Sequence, residues 1–248
     1  MSELKSYAVW DAPTRCFHWL NVLCILALAA LGLVILNAGA LGIPNPGKVL
    51  LKTWHVWVGY VFASNLALRL VWAFVGGHHA RWRQLLPGGP GYWASVREYA
   101  QGFRQRQTRA YLGHNPLGRL AIAVLLLLLT VQAITGLLLA GTDLFMPPLG
   151  HWIAQWVAAP GVEPASLVPY APELYDKTSY ADMRAWRTPV VTMHVYGFYS
   201  LSAMIVLHIA AVVVTEMRER NGLISAMFTG RKTLRSQPVD APAAKPEI

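Results

Sequence analysis

Residues 189–215 read PVVTMHVYGFYSLSAMIVLHIAAVVVT: an apolar run of membrane-spanning length, broken by His194 and His208. A helix turns about 100° and rises about 1.5 Å per residue, so fourteen residues advance it about 21 Å and return it to within about 40° of the same face. The two imidazoles therefore lie one above the other. About 20 apolar residues cross the hydrocarbon core, so this segment spans it. An ionisable side chain inside a bilayer is costly and turns toward the bundle interior, where it needs a partner.

Three further segments have spanning length: 16–36, 54–75 and 120–140. The sequence NAGA after the first resembles a signal-peptide cleavage site. However, that run exceeds the about 7–15 apolar residues of a signal core, and Glu3 and Asp11 occupy the end that should be basic. It is expected to be a retained span. The composition agrees: 55% hydrophobic and 13% charged residues exclude an ordinary soluble domain and a disordered chain.

The net charge of +9 invites a nucleic-acid reading until the basic residues are placed. Fifteen lie before span one, between spans two and three, or after span four, against five in the other two connections. The positive-inside rule then puts both termini of a multi-pass membrane protein in the cytoplasm. Attraction to anionic lipid accounts for the rest of the charge, and nucleic acid is not an expected partner. Cys16 and Cys24 form no CxxC, CxxCH or zinc-type spacing, which leaves covalent c-type haem, structural metal and thiol–disulfide exchange unsupported.

The largest exported piece is Gly141–Thr188, in which LGHWIAQWVAA has the length and aromatics of a short interfacial helix and the rest reads as an irregular loop. The cytoplasmic connection between spans two and three is expected to hold one surface helix, 92–107. The domain runs 1–232, and the Pro/Ala-rich residues 233–248 read as a flexible cytoplasmic tail.

Depth sorts the histidines. His18 enters with span one from the cytoplasm and His55 with span two from outside, while span four carries His194 at the outer level and His208 at the inner. The pairs His55/His194 and His18/His208 suit two stacked haems, since haem iron accepts two axial imidazoles and then carries electrons rather than binding oxygen. Gly59 follows His55 by one turn, Gly197 follows His194 by three residues, and Gly32 follows His18 by fourteen. Small residues there let a flat ring approach the backbone, although glycine also serves helix packing alone. Arg69 and Arg15 are candidate counter-ions for the inner propionates and Lys52 for the outer; Arg69 also has the option of snorkelling to the interface. His78, His79, His114 and His151 read as surface residues. Gln132 and Thr135 fit either polar packing or a quinone pocket.

WDAPTRCFHW, YLGHNPLG and LHIAAVVVTEMRERNGLISAMFTGRK together resemble the bacterial cytochrome b-561 family, which includes the b-type cytochrome subunits of membrane-bound nickel–iron hydrogenases. The likeness covers most of residues 7–232. It implies an all-α integral membrane four-helix bundle with two haem b groups, passing electrons between a quinone pool and a partner. The family's ligands fall on His18, His55, His194 and His208, the residues already selected by depth. The long 141–188 segment departs from shorter relatives and leaves the partner open between a hydrogenase and a c-type cytochrome, with self-association also open. Two rival functions are a superoxide:quinone oxidoreductase that works without a partner, and a histidine-relay proton or solute transporter that holds no haem.

Overall fold

A computed structural model describes residues 4–241. In chain order these form β1 (Lys5–Ala8), α1 (Ala12–Leu36), α2 (Asn45–Val75), α3 (Trp82–Leu85), α4 (Tyr92–Gln105), α5 (Pro116–Leu144), α6 (Gly150–Val157), α7 (Lys177–Glu219), α8 (Leu223–Thr229) and β2 (Arg231–Leu234). Helices α1, α2, α5 and α7 contain the four expected spans, and each is long and apolar enough to cross a membrane. Their outer faces leave Leu23, Leu26, Phe74, Val206 and Leu207 exposed, a surface that lipid covers and water would penalise. The observed helices outrun the expected spans because hydropathy marks the hydrocarbon thickness, not the helix ends. On α7 the difference is largest. Pro189, the first residue of the expected span, lies inside a helix whose first turn is capped by Asp176, which accepts a 2.8 Å hydrogen bond from Ser179 N–H.

The chain divides into two compact units. The first contains residues up to Trp19, Ala67–Leu127 and the chain from Ser202 onward. Within it β1 and β2 pair antiparallel, with Lys5 opposite Leu234 and Ala8 opposite Arg231. The Gly230 carbonyl accepts from Val9 and Trp10 N–H at 2.8 and 3.2 Å. Asp11 then caps α1 by accepting from Thr14 N–H at 3.0 Å, and holds the far end of α2 through Trp72 Nε1 at 3.1 Å and Gly77 N–H at 2.9 Å. Gly222 and Gly230 bracket α8 at φ of +72° and +76°, a backbone region that glycine enters without the Cβ penalty. The surface helix expected over 92–107 is α4, and Tyr99 joins it to Glu219 by a 2.8 Å hydrogen bond.

The tail departs from expectation. Residues 233 and 234 belong to β2, and beyond them the chain is anchored at two residues: Asp240 accepts from Leu112 and Gly113 N–H at 2.6 and 2.7 Å, and Val239 N–H bonds the Ala110 carbonyl at 3.0 Å, while 235–237 and 241 are exposed. Residues 242–248 of the expected tail lie outside the described residues.

The second unit contains Leu20–Leu66 and Leu128–Leu201. Its long segment between α5 and α7 has a core of its own. α6 turns Ile153, Ala154 and Val157 inward against Leu167, Tyr175 and Met183 and leaves Trp152 and Trp156 exposed. The rest is more ordered than an irregular loop. Ala159 N–H bonds Leu174 O at 3.0 Å, Asp176 N–H bonds Val157 O at 2.9 Å, and Tyr175 stacks on Tyr180 at 4.5 Å. Beside it Asp143 of α5 binds Lys52 of α2 at 2.6 Å and also Arg187 of α7, so one carboxylate ties three helices together.

Candidate functional site

In the second unit His55 of α2 faces His194 of α7, with ring centres 6.3 Å apart and ring planes at 75°. A metal–imidazole bond runs about 2 Å and roughly 1 Å more separates the bonded nitrogen from its ring centre, so two imidazoles across one iron have centres about 6 Å apart. The observed pair has that spacing.

The His194 tautomer follows from its neighbour. Thr135 Oγ1 of α5 lies 2.8 Å from His194 Nδ1 and 2.7 Å from the Val131 carbonyl. The hydroxyl has one proton, and a carbonyl can only accept. The proton therefore goes to Val131, the oxygen accepts from Nδ1–H, and the Nε2 lone pair is left for a metal. Gln132 Nε2 donates to the His194 carbonyl at 3.0 Å and fixes the same turn of α7. Thr135 and Gln132 thus act on His194 itself. The sequence signal for this was their polarity within an apolar span.

The glycines divide. A Cβ on Gly32 would meet His55 Cε1 at 3.4 Å, so this glycine lies against a candidate ligand. Gly136, which the sequence reading passed over, stands 3.5 Å from His194 Cε1 by the same measure. Gly197 instead makes room for the Gln132 side chain at 3.3 Å, which is packing, and a Cβ on Gly59 would meet nothing within 4 Å. Lys52 is engaged by Asp143, which it shares with Arg187; two cations against one carboxylate leave one positive charge there.

The first unit holds His18 of α1, within electrostatic reach of His208 of α7. Arg15 donates to the Phe228 carbonyl and Arg69 to the Ala80 carbonyl, the latter at 3.3 Å. His79 and His114 are not the surface residues their positions suggested. His79 is 4% exposed and stands 3.9 Å from Asp240, while His114 packs on Trp10 at 4.9 Å with its Nδ1 enclosed. Gly113 of the 108–115 loop lies against His79, His114 belongs to that loop, and the loop is pinned by Asp240 and Lys232 from far along the chain. Burial, followed by the neighbouring Lys232, Arg69, His208 and His79, holds His114 down to about 3.

Long apolar helices with imidazoles facing one another inside them define an integral membrane protein built to hold haem b and carry electrons. The chain belongs to the prokaryotic cytochrome b561 family, whose model matches residues 9–230. It is 26% identical over 246 residues to a Cupriavidus necator protein named Probable Ni/Fe-hydrogenase B-type cytochrome subunit, covering 94% of this chain and 89% of that one. An Azotobacter vinelandii protein of the same name is 28% identical, with 94% and 90% covered. A third relative, the Probable Ni/Fe-hydrogenase 1 B-type cytochrome subunit of Escherichia coli, is 31% identical over 54% of this chain and 60% of its own. No solved structure matches the chain.

Proposed function

We propose that the protein is a di-haem b cytochrome of the bacterial inner membrane that carries electrons between a quinone pool and an external hydrogenase. The observation that carries this reading is the His55–His194 pair, set 6.3 Å apart with the His194 Nε2 freed by Thr135. His18 and His208 would hold the second group, and His194 and His208 belong to one helix, α7. Haem iron held by two imidazoles supplies one-electron transfer without an open coordination position. The protein's part is to orient the imidazoles, exclude water with apolar helix faces and set the local charge. Hydrogenase is favoured as partner over a c-type cytochrome because all three relatives are named for one. By the positive-inside count both termini are cytoplasmic and the Gly141–Thr188 module is external. Its exposed Trp152, Trp156 and Trp186 give the module an apolar surface on which that partner would dock.

The test is made on the purified full chain. Its reduced visible spectrum should be that of six-coordinate haem b, with close to two haems per chain by pyridine haemochrome. An oxidised quinone analogue should reoxidise them, and hydrogen should reduce them only when the hydrogenase is present. A count near one, or none, overturns the di-haem reading; inertness toward quinone overturns the electron route.

A further inference from the structure

Lys232 is an unusual cation. It lies on β2, is 2% exposed, and has no carboxylate within 4 Å among the described residues. Its Nζ donates to the Gly113 carbonyl at 3.1 Å and the Tyr111 carbonyl at 3.4 Å. An ammonium has three N–H donors, so one remains, along with the whole charge. Burying a charge with no counter-ion in contact costs several kcal/mol in effective terms, so a lysine in this position favours an anion against its free donor. Asp240, Glu219 and Glu216 oppose the burial from further off, but among the described residues none is within 4 Å of the ammonium, whose third donor stays open.

Two further buried nitrogens beside it lack partners: an indole donor and an imidazole nitrogen that donates in one of its two tautomers. Trp10 Nε1 and His114 Nδ1 are both buried without a hydrogen-bond partner among the described residues, and their rings lie 4.9 Å apart. His114 follows Gly113, whose carbonyl holds Lys232. Orphaned buried polar groups are rare in native proteins and each needs an explanation. An ammonium, an indole N–H and an imidazole gathered in one place, with Arg69 adjoining, match a carboxylate: anionic, acceptor-only and two-pronged.

We propose that Lys232, Trp10 and His114 form a carboxylate cradle that receives a propionate of the inner haem, the one assigned to His18 and His208. The assignment rests on the di-haem reading above. It is supported by location, since His114 lies within electrostatic reach of His208. It adds to the counter-ions expected from sequence: Arg15 also bonds the Phe228 carbonyl, and the cradle draws on β2 and the 108–115 loop. Burial pulls Lys232 down to about 8, with Asp240, Glu219 and Glu216 pulling the other way; a bound carboxylate would restore the full charge.

The test uses the haem-loaded full chain in detergent. A His55→Ala background leaves the inner haem alone to be read. Lys232→Gln removes the cation, so the inner midpoint potential should fall and the propionate bands of its resonance Raman spectrum should shift; Lys232→Arg should restore both. Trp10→Phe keeps the ring and loses the N–H, so it should move the same Raman bands even if the lysine variant fails to accumulate. Unchanged bands and potential in both variants, with haem content intact, would overturn the cradle. A wild-type inner potential that instead follows added chloride or acetate would assign the site to a free small anion and overturn the propionate. Fewer than two haems in the parent chain would be a failure of the di-haem reading, visible before any variant is made.

Discussion

Thr135 is a buried hydroxyl with a single proton, and where that proton goes decides what His194 can bind. Thr135→Val keeps the shape and removes the acceptor. Nδ1–H then loses its anchor, and the imidazole becomes a weaker electron donor and a freer rotor. If His194 holds a haem as proposed, that haem's midpoint potential should move positive in Thr135→Val and stay near the parent value in Thr135→Ser, by potentiometric titration of the visible bands. A purely structural role would lower haem content in both variants and shift the potential in neither. At this scale the sequence was readable where a residue broke the local pattern. His18, His55, His194 and His208 stood out because imidazoles are costly in oil. His79 and His114 did not, because their burial depends on contacts with residues 232 and 240, more than 100 positions away.

Among the elements, the helix ends carry the information that hydropathy omits. The spans were legible from apolar length, but α7 begins at a cap, not at Pro189. The β1–β2 pair was illegible because four-residue strands give too little alternation to read. Asp11 is the cap with the widest reach, since it starts α1 and binds the end of α2. Burial pushes its carboxyl up, but hydrogen bonds from Thr14, Gly77 and Trp72 prevail and hold it below its ordinary 3.8. A carboxylate lowered in the folded state stabilises above its unfolded value, and that contribution is lost as pH falls through the folded value. Asp11→Ala should therefore cost about 1–2 kcal/mol at neutral pH. The gap in thermal midpoint between the parent and Asp11→Ala should narrow as pH is lowered below the ordinary 3.8, as the carboxyl protonates. A gap that stayed constant with pH would mean that the ionised carboxylate contributes nothing beyond its shape.

Across the whole molecule, the two units divide the candidate ligands cleanly: His18 and His208 in the first, His55 and His194 in the second. Neither pair draws on local sequence, since each joins two helices separated by more than 100 residues. Depth along the spans is what suggests the pairs, because a membrane fixes how far along each helix a given level lies. If each unit completes its own site, loss of one ligand should empty that site and spare the other. His55→Ala and His194→Ala should each retain close to one haem per chain with identical residual spectra. His18→Ala and His208→Ala should share the complementary spectrum. The double variant His55→Ala/His194→Ala should look like either single one, since residues serving one iron are not additive in occupancy. The measurement is haem per chain together with the low-temperature reduced spectrum. A common spectrum for His18→Ala and His194→Ala would break the assignment of pairs. Loss of both haems from every single variant, in chains that still accumulate in the membrane, would mean that the two sites assemble as one cooperative structure and not unit by unit.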